Sequence, residues 1–309
     1  MDFALTILGS NSAIPAHGRN PSAQILDIGG SKVLIDCGEG TQMRFRDLGE
    51  KGSKIERIFI SHLHGDHYFG LVGMLTTWQL LGRTRPLTVH GPAELWPIVE
   101  AQVDISRLGY PCDFEVTQAN SQALIADHRN YTVESFPLQH AGFPTTGFLF
   151  REKPSGRRIS GARAEELQIP IEEREALRWG ADVSLEDGRV IPNGEVTHPG
   201  WKARSYAYCS DTGYFEELAS VVMGVDLLYH ESTYLNEHSD LASERGHSTA
   251  EEAARTALAA KVGQLLLGHF SSRYPNPAPL LREAKEVFEQ SELALEGKRF
   301  EVRRQEAED

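Results

Sequence analysis

Cysteine is scarce in this chain, and what there is does not pair. Cys37, Cys112 and Cys209 are odd in number, far apart, and outside any C-x-x-C pair. That pattern argues against a disulfide framework and a thiolate zinc site, and points to reduced thiols in a cytoplasmic compartment. No apolar run approaches the roughly 18 residues needed to cross a bilayer, so no membrane partner is expected. The opening Met1-Asp2-Phe3-Ala4-Leu5-Thr6 lacks the basic region and apolar core of a signal peptide. Positive charge is also short: 31 Lys and Arg face 44 Asp and Glu, a formal net charge of −13. That balance argues against nonspecific binding to nucleic acid, although a local patch or a bound cation reverses the sign at a site. Internal repeats and low-complexity tracts are absent. The remainder, 40% hydrophobic and 24% charged over 309 residues, is a globular composition large enough for one big domain or two smaller ones.

What the chain does have is histidine in one concentrated place. Ser61-His62-Leu63-His64-Gly65-Asp66-His67-Tyr68 follows Ile55 to Ile60, whose alternating apolar residues read as a strand. Tyr68 to Leu81 has apolar residues at helical spacing, which predicts a helix. Three imidazoles and a carboxylate therefore sit in a turn between a strand end and a helix start. A carboxylate there is costly to desolvate without a partner, and a divalent metal relieves the cost. His62 and His64 point the same way from an extended turn. Gly65 lets the backbone bend and sends Asp66 and His67 elsewhere, which suits two metals side by side.

The same event recurs along the chain: a strand whose C-terminal end delivers an Asp or a His. Tyr131 to Phe136 leads to His140, Ser205 to Cys209 to Asp211, and Gln264 to Leu267 to His269. Strand ends on one edge of a sheet converge, so these side chains can meet in one cleft. Seven ligands divide into His62, His64 and His140 on one metal, Asp66, His67 and His269 on the other, and Asp211 between them. Nitrogen and oxygen donors without thiolate suit two Zn2+ ions, with Mn2+ or Fe2+ as competitors. Asp36, at another strand end, can orient a ligating histidine or cap the helix that begins near Thr41. Arg19 and Asn20 lie in a loop, Ile14 to Pro21, that can receive a phosphate or be plain surface. Ser248 with Glu251, and Thr249 with Glu252, both have capping-box spacing. Arg151 to Gly180 changes pattern into short helical stretches split by Pro170, as an insertion does, and Val190 to Gly200 is loop-rich.

The His62-x-His64-x-Asp66-His67 signature with His140, Asp211 and His269 resembles the metallo-β-lactamase superfamily. Asp36-Cys37-Gly38-Glu39, His230-Glu231-Ser232-Thr233, His247-Ser248-Thr249 and His269-Phe270-Ser271-Ser272-Arg273-Tyr274 make the chain similar to the ribonuclease Z family within it. The resemblance implies an α/β, four-layer αββα sandwich over residues 1–309, with 151–180 as an inserted arm that grips tRNA. It implies a zinc-dependent endoribonuclease that removes the 3′ trailer from precursor tRNA as a homodimer. By the same likeness Asp66 is also the general base, His247 held by Glu231 protonates the leaving oxygen, and Arg19, Asn20, Ser271 and Arg273 line the phosphate path. A small-molecule phosphodiesterase on the same metal scaffold is the alternative.

Overall fold

The computed structural model describes residues 2–185 and 187–307. They form two compact units, Met1–Arg151 with Ser205–Val302, and Glu152–Arg204 with Arg303–Asp309.

The first unit holds fourteen strands in two seven-stranded sheets. In chain order they are β1 Ala4–Gly9, β2 Ala23–Ile28, β3 Ser31–Cys37, β4 Ile55–Phe59, β5 Leu87–Gly91, β6 Cys112–Val116, β7 Ala123–Asp127, β8 Tyr131–His140 and β9 Phe143–Glu152. After the second unit come β10 Ser205–Cys209, β11 Leu227–Glu231, β12 Leu265–Gly268, β13 Ser291–Leu293 and β14 Arg299–Glu301. One sheet runs β14-β1-β2-β3-β4-β5-β6, the other β13-β12-β11-β10-β9-β8-β7. Both are mixed: β3 to β6 and β10 to β13 pair in parallel, while β1 to β3 and β9 with β10 are antiparallel.

Strand alternation builds the layers. Along β3, Val33 and Ile35 join a core that also takes Phe148 and Phe150 of β9 and Tyr206 and Tyr208 of β10, so the sheets pack face to face. Leu34 and Cys37 face the other way, among Phe45, Leu75 and Trp78 of helices Thr41–Asp47 and Leu71–Leu80. The outer face of the other sheet is covered by Ala253, Ala257, Leu280 and Ala284 of helices Ala250–Ala259 and Ala278–Val287. Helix, sheet, sheet and helix are the four layers expected.

Two local readings are corrected here. The helix expected over 68–81 is two helices, Gly65–Tyr68 and Leu71–Leu80. The chain breaks at Gly70, whose N–H donates to the Cys37 carbonyl and where a Cβ would stand 2.3 Å from the Gly38 oxygen. The strand expected to end at Phe136 continues through Pro137 to His140. Its partner β7 reaches only as far as Ser135, so Pro137 forfeits no ladder bond on that side. The sequence reading has no counterpart to β7, where Ala126 is the one buried residue and there is little alternation to read.

The second unit has its own small core of Ala164, Ile169, Leu177, Val183, Ile191 and Val196. Two short strand pairs brace it, Arg158–Ile159 with Thr197–His198 and Val183–Ser184 with Val190–Ile191. The loop-rich stretch 190–200 thus carries one strand of each pair, with helix Asn193–Val196 between them. Within this unit the Arg158 and Arg304 guanidiniums lie over the Trp201 ring at 4.3 and 5.7 Å.

Candidate metal centre

The strand-end residues predicted to converge do so, all within the first unit. Asp211, buried just beyond β10, lies between two groups of histidines. Its Oδ2 faces His62 Nε2 at 3.8 Å and His140 Nε2 at 3.7 Å, and its Oδ1 faces His67 Nε2 at 3.3 Å and His269 Nε2 at 3.2 Å. His64 completes the first group, its Nδ1 3.1 Å from His140 Nε2. Asp66 completes the second, its Oδ2 3.5 Å from His67 Nε2 and 3.4 Å from His269 Nε2. Ligand atoms at roughly 2.0–2.1 Å from a tetrahedral ion stand about 3.3 Å apart, so each group has the spacing of one ion's donors.

The hydrogen bonds around the histidines fix which nitrogen is bare. His67 Nδ1–H donates to Asp36 Oδ2 at 2.7 Å, and His140 Nδ1–H to the Gly246 carbonyl at 2.8 Å. The Ser61 hydroxyl donates to Asp36 at 2.9 Å, which leaves it to accept from His62 Nδ1 at 3.0 Å. Thr233 Oγ1 donates to Glu231 Oε2 at 2.6 Å, and so accepts from His269 Nδ1 at 2.9 Å. Each of these rings thus spends Nδ1 on an outer partner and turns Nε2 inward. His62 Nε2 and His67 Nε2 are buried with no hydrogen-bond partner, which is costly unless a cation fills the gap. The residues present fit divalent metal.

The electrostatics agree. Burial alone would lower the His67 pKa, but the carboxylates of Asp211, Asp66 and Asp36 raise it well above its ordinary value. His62 goes the other way, lowered by burial and by His67. Asp66 is held far below the usual carboxylate range, as the His67 charge and hydrogen bonds with His269 and His67 outweigh its burial. Without metal, the carboxylates recruit a proton onto an imidazole in place of a cation.

Asp36 is the residue at a strand end that the sequence left between two roles. It caps no helix: besides His67 it accepts the Tyr208 hydroxyl at 2.6 Å and the Ser61 N–H at 2.8 Å. Asp36 and His269 both adopt positive φ, 53° and 57°, a strained backbone characteristic of functional sites.

Beside the second group, Glu231 is buried at the end of β11. Its Oε1 accepts from the Thr212 N–H at 2.9 Å and from His247 Nδ1 at 2.7 Å, and its Oε2 also accepts the Thr233 N–H at 3.1 Å. Burial would raise the Glu231 pKa, but the charge and hydrogen bond of His247 lower it. Burial would likewise lower that of His247, and Glu231 above all raises it to about 9. His247 follows Gly246, which ends helix Ser239–Arg245 at φ 66°. Of the two capping boxes read in the sequence, Thr249 and Glu252 form the real one, whereas Ser248 Oγ donates to the Thr212 carbonyl at 2.7 Å.

The groups open into a cleft of about 740 Å3 lined by His64, Asp66, His140, Asp211, His247 and His269, with Ser271 and Ser272 at its rim. The phosphate-path residues expected from the sequence divide. Ser271 lines the cleft; Arg273 is exposed and does not line it. Arg19 and Asn20 do not line it. The Arg19 guanidinium is buried and donates to Asn11 Oδ1 and to the Tyr274 and Pro275 carbonyls, and Asn20 is tied to Glu296. The sequence reading missed the Ala13 N–H, which donates to Asp66 Oδ2 at 2.7 Å from a residue at φ 58°. No side-chain pattern marks a backbone donor.

Two facing mixed sheets with helices outside and His/Asp clusters at the strand ends make this a metallo-β-lactamase fold hydrolase. The metallo-β-lactamase fold protein YhfI from Bacillus subtilis superposes with a TM-score of 0.68 over 97% of this chain and 100% of that one, at 19% identity. The chain belongs to the ribonuclease Z family. It is 40% identical over 303 residues to ribonuclease Z of Parabacteroides distasonis, covering 97% of this chain and 99% of that one. The human tRNase Z, short form, superposes with a TM-score of 0.69 at 25% identity over 97% and 99% of the two chains. A family model described as anti-Pycsar protein Apyc1 matches residues 3–96, the part that carries His62 to His67.

Proposed function

We propose that this chain is a metal-dependent endoribonuclease that removes the 3′ trailer from precursor tRNA, leaving a 3′-hydroxyl on the tRNA. The observation that carries the reading is Asp211, with one oxygen toward each histidine group, in a chain with full-length kinship to ribonuclease Z.

His62, His64 and His140 with Asp211 Oδ2 would hold one Zn2+, and Asp66, His67 and His269 with Asp211 Oδ1 another, Mn2+ or Fe2+ being the competitors. Bound there, such cations supply Lewis acidity and favour ionisation of water near neutral pH. The chain's own residues do the rest. Asp66, held ionised and pinned by the Ala13 N–H, takes the proton of the attacking water. His247, kept protonated by Glu231, gives a proton to the departing 3′-oxygen. Ser271, at the cleft, and the exposed Arg273 would meet the flanking phosphates, while Arg19 and Asn20 act by holding the loop that carries Ala13.

The second unit carries charge of both signs, Arg158 being paired with Glu306, and its basic side chains share it with aromatic rings. Arg157, Arg158, Arg178, Lys202 and Arg304 accompany Trp179, which is 62% exposed. Basic and aromatic groups together suit an RNA backbone and its bases, which supports a tRNA-gripping role for 151–180 and extends it to the rest of that unit. A homodimer belongs to the same reading, supported by Met43, Phe69, Leu80 and Leu81, all more than half exposed. A cytoplasmic location is supported by three unpaired cysteines. Among the described residues no helix is long and apolar enough to cross a membrane.

The test is incubation of the metal-loaded protein with a trailered tRNA transcript and mapping of the product ends. One cut leaving a 3′-hydroxyl is expected, and it is lost on Asp66→Ala. No cleavage at full metal occupancy overturns the proposal, and turnover of only a small chromogenic diester turns it toward a small-molecule phosphodiesterase.

A further inference from the structure

A second cavity, of about 830 Å3, shares His140, Ala141, Phe143 and His247 with the metal cleft but none of Asp66, Asp211 or His269. Its chemistry differs from the cleft's. Neither Lys nor Arg lines it, whereas Glu94 and Glu252 do, so the balance of charge there disfavours a phosphate. Gln118, Asn120 and Gln139 bring carboxamides to its wall. Thr117, only 4% exposed, keeps its Oγ1 there with no hydrogen-bond partner. Phe143 and Tyr214 add rings that are 52% and 38% exposed. Exposed rings beside carboxamides, with the carboxylates of Glu94 and Glu252 as further acceptors, are the surroundings of a planar, neutral, hydrogen-bonding group, as a nucleobase is.

The wall between the two spaces is firmly built. A Cβ on Gly246 would fall 2.2 Å from the Ala141 nitrogen, and the Gly246 carbonyl accepts from His140 at 2.8 Å. A group seated in the second cavity is therefore held in register with His247 and the metal groups.

Orientation follows from the reaction, so the inference rests on the function proposed above. Water oxygen forms the new bond to phosphorus, the bond from phosphorus to the 3′-oxygen breaks, and the phosphate leaves on the trailer. The 3′-oxygen takes a proton and stays on the last nucleotide of the tRNA. His247, which supplies that proton, stands in the shared wall. We propose that the second cavity holds the base of this last nucleotide, hydrogen-bonded by Gln118 and Asn120 and flanked by the rings of Phe143 and Tyr214.

Single-turnover cleavage of two trailered transcripts tests this, one intact and one with an abasic residue immediately 5′ of the cut. The wild-type protein cleaves the abasic transcript about tenfold more slowly. A Gln118→Ala/Asn120→Ala variant with unchanged metal content and melting temperature loses most of that discrimination. Ala119→Trp, which puts bulk into the cavity, raises KM for the intact transcript several-fold. Equal wild-type rates on both transcripts, or an unchanged KM for Ala119→Trp, overturn the pocket and leave the nuclease standing. Failure to cut the intact transcript overturns the nuclease, and the pocket with it.

Discussion

Glu231 and His247 are joined by a 2.7 Å hydrogen bond from Nδ1 to Oε1, with the carboxylate fully buried and the imidazole open to the cleft. One side of the pair is fixed by the strand end and the other is free to reach a substrate. The same carboxylate binds Thr233, which accepts from His269, so His247 is built onto the framework of the second histidine group.

Glu231→Gln keeps the shape of this pair and removes its charge. In the metal-free protein the His247 imidazole titrates at about 9, so it is protonated below that pH and loses its proton as pH rises through it. In the Gln variant the titration moves down, because burial now acts without its main opponent. Histidine chemical shifts followed against pH measure the change, and an unmoved titration would show that Glu231 does not set it.

His247→Ala is expected to lower kcat on precursor tRNA by about 10²–10⁴-fold, the usual worth of a positioned proton donor. Its metal content stays that of the wild type, because His62, His64, Asp66, His67, His140, Asp211 and His269 are untouched. A parallel loss of metal would assign His247 to the metal centre instead.

Asp36→Asn takes the charged acceptor from His67 Nδ1 and from the Tyr208 and Ser61 hydroxyls. Loss of such an outer partner typically costs 10–100-fold in metal affinity. Competition against a chelator of known affinity reads that drop, and wild-type affinity would make Asp36 purely architectural.

Gly246→Ala is expected to destabilise by about 2 kcal/mol or more, since φ is 66° and the new Cβ meets the Ala141 backbone. It also displaces the carbonyl that orients His140. Denaturant melts of the metal-loaded protein measure the loss.

Much of this site was legible because its chemistry is written in side chains. Histidine and aspartate at strand ends are visible as letters, and the strands before them alternate clearly enough to place those ends. What stayed hidden depends on backbone and on contacts between distant parts of the chain. The Ala13 N–H and the Gly246 carbonyl leave no trace in a pattern of residue types. Arg19 reads as a phosphate ligand from the composition of its loop and from the family resemblance. Only the fold shows it buried against Asn11 and the Tyr274 and Pro275 carbonyls. The break at Gly70 was equally unreadable, since it is set by the close approach of Cys37 and Gly38 from another strand.

The central claim is that Asp211 is shared between two cations, and the most direct measurement is the metal bound per chain in wild type and Asp211→Ala. Two divalent ions per wild-type chain, each site weakened together in the variant, is the expected result. A single ion in the wild type, or an Asp211→Ala protein that keeps both, would contradict it.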